Sequence, residues 1–302
     1  MYDLIGDIHG HCSTLKKLLA KMGYEQTSGT WKHESRTAIF VGDYIDRGPE
    51  IKETLGLVKA MVDEGSAIAL MGNHEYNAVA YAKQDDLGNY YRSHNTVHNR
   101  QHQATLQQFE AYPDEWNAYL QWFQELPLFL ELPELRAVHA CWDAAHIDWL
   151  RRNNYLTLTD QLLRESNIRG SQANLVIEET LKGKELAIPE AFVWYDKDGH
   201  ARISNRVKWW KQPEGISYDD FLFSCPPQLK TTSIPDDISI TVYPKDAPPV
   251  FIGHYWLEDK VPVIQAGNVI CLDYSVAKNG PLVAYRFDWE NEIEDKHFVY
   301  VN

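Results

Sequence analysis

The chain begins with a regular succession of apolar runs and polar turns. Apolar residues at 2–5, 37–41 and 66–71 each lead into a polar turn that contains glycine, and apolar residues at helical spacing follow each turn. Short apolar runs of this type are typical of strands buried on both faces. Three repeats of strand, polar turn and helix predict a parallel α/β sheet with all three turns at the carboxyl ends of its strands.

The pattern changes twice along the rest of the chain. A helix is predicted at 114–125, followed by a hairpin of strands 128–132 and 135–138. From Asp143 to about Asp246, three helical segments precede loop-rich sequence with many prolines. The apolar run 249–252 then predicts a further strand, and 268–272 with 282–287 predict an antiparallel hairpin. We therefore expect one domain over residues 1–302, with a helical and aromatic insertion at about 143–246.

The composition and charge of the chain limit the classes of protein to which it can belong. The 302 residues are 44% hydrophobic, enough for a large core, and the formal net charge of -14 argues against nucleic acid or an anionic membrane as a partner. No apolar run approaches the roughly 20 residues that span a bilayer, and the first residues do not resemble a signal peptide. Cys12, Cys141, Cys225 and Cys271 form no CxxC pair, so we expect a reducing, cytoplasmic location.

Residues capable of metal and acid–base chemistry follow the strands. Five predicted strands end in or near Asp7, His9, Asp43, Asp46, Arg47, Asn73, His74, His139 and His254. Carboxylate, carboxamide and imidazole groups suit divalent cations of the first transition row. If they converge, they suit two cations about 3.5–4 Å apart that clamp a phosphoryl group during its transfer. For each residue alone, a turn or capping role is the alternative.

Five short motifs carry a resemblance to a known family. They are GDIHG at 6–10, GDYIDRG at 42–48, GNHE at 72–75, VHA at 138–140 and GH at 253–254. In this order they resemble the motifs of the calcineurin-like metallophosphoesterases. They are most similar to those of the phosphoprotein phosphatase branch, including its bacterial members, and of the symmetrical dinucleoside tetraphosphatases. The resemblance covers residues 1–140 and about 249–287.

The resemblance implies a fold and a metal site. The fold would be an αββα sandwich of central mixed sheets flanked by helices, with the site at the carboxyl ends of the strands. The implied ligands of two divalent metal ions are Asp7 and His9 for the first, Asp43 for both, and Asn73, His139 and His254 for the second. Manganese is the expected metal, with iron, zinc, nickel and cobalt as alternatives. A hydroxide bridging the two metals would attack phosphorus in line.

The resemblance also implies catalytic roles. His74 would protonate the leaving oxygen, and Asp46 would orient its imidazole. The guanidinium of Arg47 would bind two phosphate oxygens at once, a geometry that lysine cannot copy. A turn residue that bonds to backbone is the alternative for Asp46, and a surface ion pair is the alternative for Arg47.

The sequence departs from the family at two places. Cys141 follows Ala140 where the family usually carries glycine, and we interpret it as a packing residue. The family's second phosphate-binding arginine lies in the middle region, which does not align. Arg206 is the first candidate for this substrate-binding role, ahead of Arg202 and Arg169.

Three functions fit these residues. The leading expectation is a metal-dependent phosphoesterase that hydrolyses phosphomonoesters in the manner of serine/threonine phosphatases. A symmetrical dinucleoside tetraphosphate hydrolase is the alternative, since Trp194, Trp209 or Trp210 could stack a base. The partner would thus be a phosphopeptide or a small phosphoester or nucleotide. A non-catalytic metal-binding interaction protein would be expected to lose His74 or a metal ligand, and none is lost.

One histidine-rich stretch lies outside the five motifs. His94, His98 and His102 recur every four residues, which predicts one face of a helix. A second metal site is one interpretation. We favour a solvated helix near the mouth of the cleft, because the stretch has no supporting carboxylate pattern.

Overall fold

The computed structural model describes residues 1–195, 201–290 and 292–302, and the side chains of Trp194, Tyr195 and Arg202 also lie outside the described part. The helices are α1 (Cys12–Lys21), α2 (Ile51–Asp63), α3 (Asn73–Ala82), α4 (Thr96–Phe109), α5 (Pro113–Glu125), α6 (Ala144–Arg152), α7 (Asp160–Ser166), α8 (Gln172–Lys182) and α9 (Tyr218–Phe221). The strands are β1 (Tyr2–Ile5), β2 (Glu25–Thr27), β3 (Thr30–Lys32), β4 (Thr37–Phe40), β5 (Ala67–Ala69), β6 (Phe129–Glu131), β7 (Arg136–Val138), β8 (Glu185–Ala187), β9 (Trp194–Tyr195), β10 (Ala201–Arg202), β11 (Ser204–Arg206), β12 (Val250–Ile252), β13 (Val269–Cys271), β14 (Leu282–Phe287) and β15 (Phe298–Val301).

Two mixed sheets form the centre of the molecule. The five-stranded sheet has the order β15-β14-β1-β4-β5, in which β1, β4 and β5 are parallel and β14 and β15 are antiparallel. The four-stranded sheet has the order β13-β12-β7-β6, in which only β6 is antiparallel to its neighbour. The repeat of strand, turn and helix in the first 80 residues therefore corresponds to the predicted parallel strands.

The strands alternate between two apolar cores. Leu4 of β1, Ile39 of β4 and Phe251 of β12 belong to one buried cluster that contains side chains of both sheets. Ile5 and Phe40, the next residue on each of two of these strands, belong to a second cluster that includes the helices. Since successive side chains of a strand point to opposite faces, each sheet packs on its partner with one face and on helices with the other. The result is the expected αββα sandwich.

One predicted pairing is wrong. Strands β13 and β14 do not form a hairpin, because β13 pairs in parallel with β12 whereas β14 pairs with β1 and β15 in the other sheet. Both strands are almost entirely buried. The apolar pattern therefore identifies them as strands but does not determine which neighbour each one pairs with.

The insertion shares its core with the sandwich. Apolar residues of α6, α7 and α8, such as Ile147, Leu162 and Val176, lie in the same buried cluster as Val138 of β7. The insertion and the sandwich thus share one apolar core, and the single domain over residues 1–302 stays a prediction. Among the described residues, no helix has the length and apolar character needed to cross a membrane.

Candidate dimetal active site

The topology brings the ends of five strands to one edge of the sandwich. The amide of His9, after β1, donates to the carbonyl of Asp43, after β4 (2.9 Å). The amide of Gly253, after β12, donates to the carbonyl of His139, after β7 (2.8 Å). Asn73 begins α3 a few residues after β5. All of the predicted site turns thus lie beside one another.

The backbone of these turns is unusual. His9, Asp43, Asp46, Arg47 and His254 all have positive φ, between 45° and 74°. Residues other than glycine rarely adopt this region, and each such residue costs of order 1–3 kcal/mol that the surrounding structure must offset. Their concentration at one edge marks it as a functional site.

Glycines make room for the carboxylates. A Cβ atom on Gly72 would lie 2.3 Å from Oδ1 of Asp43, and one on Gly253 would lie 2.0 Å from Oδ1 of Asp7. No side chain is compatible with such distances, so these two positions require glycine whatever their backbone angles. In both cases the glycine faces a candidate metal ligand.

The two carboxylates are buried and each has one anchor. Asp7 Oδ2 accepts a hydrogen bond from the backbone amide of His254 (3.0 Å), and Asp43 Oδ1 accepts one from the amide of His74 (3.0 Å). Asp43 also lies 3.4 Å from Nε2 of His139 and 3.7 Å from Nε2 of His9. Asp43 is therefore at the centre of the cluster, as a ligand shared by two cations would be.

Hydrogen bonds to backbone orient two of the imidazoles. Nδ1 of His9 donates to the carbonyl of Ile45 (2.9 Å), and Nδ1 of His139 donates to the carbonyl of Val41 (2.8 Å). Nε2 of His9 then faces Asp43 without a hydrogen-bond partner in the described structure, and Nε2 of His139 faces the oxygens of Asp43 and Asn73. Histidine ligands of metals typically have this arrangement, with the second nitrogen bonded to a backbone carbonyl or a carboxylate.

The carboxamide of Asn73 completes the cluster. Its Oδ1 lies 3.0 Å from Nε2 of His139 and 2.7 Å from Nδ1 of His254. The same Nε2 of His139 lies 3.4 Å from Oδ1 of Asp43. Carboxamide, carboxylate and two imidazoles thus meet at one point, which is the ligand mix expected for the second cation.

The buried charges of the ligand cluster are by themselves unfavourable in a way that cations would correct. Burial and the nearby carboxylate of Asp273 raise the pKa of Asp7 well above its usual value. Burial, together with His74, lowers the pKa of His9 to about 3, so its imidazole is neutral as a metal ligand must be. Burial would raise the pKa of Asp43, but His139 and His74 lower it well below its usual value.

Unpartnered atoms provide a direct test of whether metal ions fit. Asp7 Oδ1, His9 Nε2 and His254 Nε2 are buried without a hydrogen-bond partner among the described residues. Ligand atoms lie within 4.8 Å of one another in the group His9, Asp43 and His74 and in the group Asp43, His139 and His254. Since the two groups share Asp43, and three ligand-type atoms at the cluster have no hydrogen-bond partner, the residues fit two divalent cations.

The predicted acid–base pair is also present. Nδ1 of His74 lies 2.5 Å from Oδ2 of Asp46, and both side chains are buried. Burial would lower the pKa of His74, but the carboxylates of Asp43 and Asp46 outweigh it and raise the pKa. The direction of this shift favours the protonated imidazole that a proton donor needs.

Arg47 lies beside this pair and is held by an aromatic ring. Its Nη2 is 3.3 Å from Nε2 of His74, and its guanidinium carbon is 3.6 Å from the centre of the Trp256 ring. Stacking on an indole orients a guanidinium and leaves its N–H edge free for a phosphate. Lys278 lies over the same ring (4.2 Å).

Two buried acids at the site were not among the residues predicted from the sequence. Glu75 accepts hydrogen bonds from the amides of Tyr44 (2.8 Å) and Gly72 (3.0 Å), and so ties two of the turns together. Burial and the neighbouring Asp43 raise the pKa of Glu75 to about 7. Glu75 belongs to the GNHE motif at 72–75, but the sequence pattern assigned it no role.

Asp273 is the other overlooked acid. It is buried and accepts hydrogen bonds from the amides of Trp256 (2.7 Å) and Ser275 (3.0 Å), which places the loop that carries Trp256. It follows a buried strand, as the predicted ligands do. That signal was missed because its strand, β13, was assigned to a hairpin away from the site.

The three histidines of the histidine-rich stretch differ in their exposure and contacts. His98 lies on α4 with His102, whereas His94 precedes the helix. His94 is exposed and His98 is half-buried, whereas His102 is buried and its Nδ1 donates a hydrogen bond to Oδ1 of Asp46 (2.8 Å). No grouping of these three histidines as metal ligands occurs in the described structure. The interpretation of a solvated helix is thus wrong for His102.

The candidate arginines of the middle region differ in their position relative to the site. Arg206 donates through Nε to the carbonyl of Lys182 (2.7 Å), and its charge, after burial, contributes to lowering the pKa of His254. Arg206 is therefore near the site. Arg169 is exposed, and the side chain of Arg202 lies outside the described part.

The tryptophans of the insertion differ in their exposure. Trp209 is 1% exposed, and its Nε1 donates to the hydroxyl of Tyr255 (2.9 Å), so it packs inside the protein and cannot stack a base. Trp210 is 9% exposed and borders a cavity. The expected platform in Trp194 lies outside the described side chains.

A third group of ligand-type residues lies away from the site. Asp143, His146 and Glu179 bring their ligand atoms within 4.8 Å of one another. The ammonium of Lys184 already forms ion pairs with Asp143 and Glu179, so a cation is present without any metal. We interpret this group as a buried ion-pair cluster.

Asp143→Asn is expected to destabilise the fold by about 2–3 kcal/mol at pH 7, because the half-buried Lys184 loses the nearer of its two carboxylate partners. Burial would raise the pKa of Asp143, but the hydrogen bond from Lys184 lowers it below the usual 3.8. The stabilisation is therefore complete above about pH 4 and is lost as the pH falls through the lowered pKa. Urea unfolding of both proteins at pH 7 and pH 3 measures this difference.

The control is Asp148→Asn, which removes an exposed carboxylate of α6 and should cost less than about 0.5 kcal/mol. Equal stability of Asp143→Asn and the parent protein at pH 7 would contradict the ion-pair interpretation.

An αββα sandwich with a buried ligand cluster at its strand ends is the architecture of metallophosphoesterases. The chain belongs to the calcineurin-like phosphoesterase family, whose model matches residues 2–254. The match covers all five motifs and the whole of the insertion.

Individual relatives match less of the chain. The bis(5'-nucleosyl)-tetraphosphatase PrpE [asymmetrical] of Oceanobacillus iheyensis is 28% identical over 144 residues, which are 46% of this chain and 54% of that protein. The chain thus spans about half the length of the curated relatives it matches.

Solved structures share the fold over almost the whole chain. A cold-active protein-tyrosine phosphatase of a psychrophilic Shewanella species is 18% identical, with a TM-score of 0.50 over 100% of this chain and 80% of that one. A protein serine/threonine phosphatase of Saccharomyces cerevisiae is 13% identical, with a TM-score of 0.51 over 99% of this chain and 78% of that one. At these identities the likeness extends to the fold alone.

Proposed function

We propose that the protein is a metal-dependent phosphoesterase that hydrolyses phosphomonoesters. The observation that carries this proposal is the His74–Asp46 pair, whose atoms lie 2.5 Å apart beside Arg47 and the ligand cluster. A metal-binding protein without catalysis has no use for a buried, oriented proton donor next to its metals. The site therefore favours an enzyme over an interaction protein.

The proposed ligands form two overlapping sets. Asp7 and His9 would hold one divalent cation, Asn73, His139 and His254 the other, and Asp43 both. When bound, such cations acidify coordinated water and neutralise the charge of a phosphate. Manganese is the proposed metal on the family resemblance, with iron, zinc, nickel and cobalt as alternatives, since oxygen and imidazole donors suit all of these cations.

The residues of the chain itself would orient the substrate and supply the proton. Arg47, fixed by its stacking on Trp256, would bind two oxygens of the phosphate through its planar N–H edge. His74 would donate the proton on Nε2 to the leaving oxygen, while Asp46 holds Nδ1 and stabilises the charged ring. Arg206, near His254, would be the second arginine on the phosphate.

A second candidate function rests on a cavity next to the site. A cavity of about 640 Å³ extends from Trp256 and contains the cationic side chains of Arg206, Lys208, Lys211 and Lys278. Aromatic Trp210 and Tyr255 also line it. Cations with aromatic rings suit a phosphate chain with a base. This cavity, and the name of the curated relatives, support hydrolysis of a dinucleoside tetraphosphate.

The relatives' name specifies asymmetrical cleavage, whereas the motifs resemble those of symmetrical enzymes.

We include a cytoplasmic location in the proposal, since the described cysteines are unpaired.

Turnover of two substrates by the manganese-loaded protein decides between the candidates. A phosphoserine peptide and diadenosine tetraphosphate are compared at equal concentration, with products identified by chromatography. Faster release of phosphate from the peptide supports the phosphomonoesterase, and faster cleavage of the nucleotide supports the second candidate. The products of the latter show whether cleavage is symmetrical. Turnover of neither, nor of an aryl phosphate, would contradict the proposed function.

Lys211→Gln tests the cavity itself. If the cavity binds the phosphate chain, loss of this charge should lower kcat/KM for diadenosine tetraphosphate about tenfold, the effect of one lost ionic contact of ~1.4 kcal/mol. Phenyl phosphate has no further phosphate that could contact Lys211, so its kcat/KM should not change. Lys230→Gln, which removes an exposed lysine paired with Asp219, is the matched control. Equal effects of Lys211→Gln on both substrates would exclude the cavity as a nucleotide subsite.

A further inference from the structure

The carboxylate of Asp46 is bound from two sides. On one side its Oδ2 faces His74. On the other side its Oδ1 accepts hydrogen bonds from Nδ1 of His102 (2.8 Å) and from the hydroxyl of Thr105 (2.6 Å). The same hydroxyl accepts a hydrogen bond from the amide of Asp46 (3.0 Å). Both additional partners belong to α4, and neither lies in any of the five motifs.

Helix α4 holds the whole turn that carries Asp46. His102, Thr105 and Gln108 are three residues apart and so lie on one face of the helix. Oε1 of Gln108 accepts a hydrogen bond from the amide of Ile51 (2.7 Å), and its Nε2 donates to the carbonyl of Gly48 (3.1 Å). This face therefore binds the segment that follows Asp46 as well as the carboxylate of Asp46 itself.

The contact is shielded from water. His102 is 6% exposed, Thr105 is completely buried and Asp46 is 3% exposed. A hydrogen bond to a buried carboxylate is stronger than one in water and is more strongly directional. Removal of the donor leaves the carboxylate oxygen without compensation, which costs more than the bond itself contributes.

The surroundings of His102 agree with a donor role. The ring packs near Tyr81 (5.3 Å) and Trp116 (5.7 Å), which offer no charge. Asp46 is its ionic partner in the described structure, and Nε2 has no hydrogen-bond partner there. Because a carboxylate can only accept, Nδ1 of His102 carries the proton in this bond.

A fixed Oδ1 also fixes Oδ2. The two oxygens of a carboxylate rotate together about the Cβ–Cγ bond, so a bond to one sets the direction of the other. The orientation of His74 depends on Oδ2, and thus on what binds Oδ1. The alternative is that His102 merely fills a buried position between aromatic rings.

We propose that His102 is a positioning residue for the leaving-group acid: it holds Asp46 so that Asp46 holds His74. The inference rests on the proposed function, in which His74 protonates the leaving oxygen. His102 itself touches neither substrate nor metal. Burial would raise the pKa of Asp46, but the bonds from His102 and His74 lower it, so the carboxylate stays charged toward both rings.

Two aryl phosphates with different leaving groups test the proposal on the manganese-loaded protein. Phenoxide is a poor leaving group that needs a proton, whereas 2,4-dinitrophenoxide leaves without one. His102→Leu should lower kcat for phenyl phosphate about 10- to 100-fold. It should lower kcat for 2,4-dinitrophenyl phosphate less than about 3-fold, and KM should change little for either, because phosphate binding is not affected.

Two polar variants separate positioning from packing. The amide nitrogen of Asn occupies nearly the place of histidine Nδ1, whereas that of Gln occupies the place of Nε2. We therefore expect His102→Asn to restore kcat for phenyl phosphate to within about 3-fold of the parent and His102→Gln to behave like His102→Leu. If His102→Leu does not fold, this pair carries the test. His98→Leu, one turn earlier on the same helix, is the control and should match the parent.

Proton NMR provides a readout that does not depend on activity. Imidazole N–H protons bonded to a carboxylate resonate downfield of backbone amides. The parent should show downfield signals that Asp46→Asn removes, and His102→Leu should remove one of them and shift the other. Unchanged signals in His102→Leu would overturn the geometry.

The kinetic outcomes distinguish the two hypotheses. If the parent protein hydrolyses neither aryl phosphate, the proposed function fails, and the NMR signals still decide the contact. If the parent hydrolyses both and His102→Leu lowers both rates equally, or neither, then His102 has a packing role and the further inference is wrong.

Discussion

Asp43→Asn is expected to lower kcat of the manganese-loaded protein toward phenyl phosphate by about 1,000-fold, equivalent to ~4 kcal/mol of transition-state stabilisation. Asp43 belongs to both candidate ligand groups and lies 3.4 Å from His139 and 3.7 Å from His9. A neutral carboxamide is a weaker ligand and cannot balance two divalent charges. The fold should be little affected, because Asn can still accept the hydrogen bond from the amide of His74.

Elemental analysis gives a second measurement on the same variant. We expect two metal ions per chain in the parent and one or fewer in Asp43→Asn after the same dialysis. Asp63→Asn makes the same chemical change at an exposed residue of α2 that pairs with Lys59, and should retain both metals and full activity. Full activity of Asp43→Asn would show that the two-metal interpretation is wrong.

His74→Asn is expected to lower kcat for phenyl phosphate by about 100- to 1,000-fold, within the range that a positioned proton donor supplies. The loss should be much smaller for 2,4-dinitrophenyl phosphate, whose leaving group needs no proton. Metal content should stay at two ions per chain, since Nδ1 of His74 is bonded to Asp46 and the proposed ligands are other residues. Steady-state kinetics on both substrates and elemental analysis measure these effects.

His33→Asn, a change of the same type away from the site, is the control for this variant. Equal losses of kcat for the two leaving groups would contradict the role of His74 as an acid. Loss of a metal ion would instead assign His74 as a ligand, in agreement with its place in the group with His9 and Asp43.

The strand ends could be predicted from the sequence because two local signals coincide there. Apolar runs specify buried strands, and the polar residues that follow them cannot enter the core without partners. Parallel strands bring their carboxyl ends to one edge, so Asp7, Asp43 and Asn73 had to lie close together. In the structure these three residues lie at one edge, and the predicted His139 and His254, which follow strands of the second sheet, lie beside Asn73.

Contacts between distant segments could not be predicted in this way. Asp273 was overlooked because the burial pattern of β13 is the same whether it pairs with β12 or with β14. Trp256 follows a predicted ligand by two residues, but nothing local indicates that its ring lies under Arg47. His102 and Asp46 are 56 residues apart, and helical spacing shows which residues share a face of α4 but not what that face contacts.

The sequence by itself determined the class of fold, the family and the set of ligand-type residues, because each depends on short motifs and on the periodicity of single elements. Only the tertiary structure decided which residues hold those groups in place and what cavity lies beside them. Glu75, Asp273, Trp256 and His102 act through hydrogen bonds and stacking that exist only once separate elements have packed. Such contacts depend on distances in space, which a one-dimensional pattern does not contain.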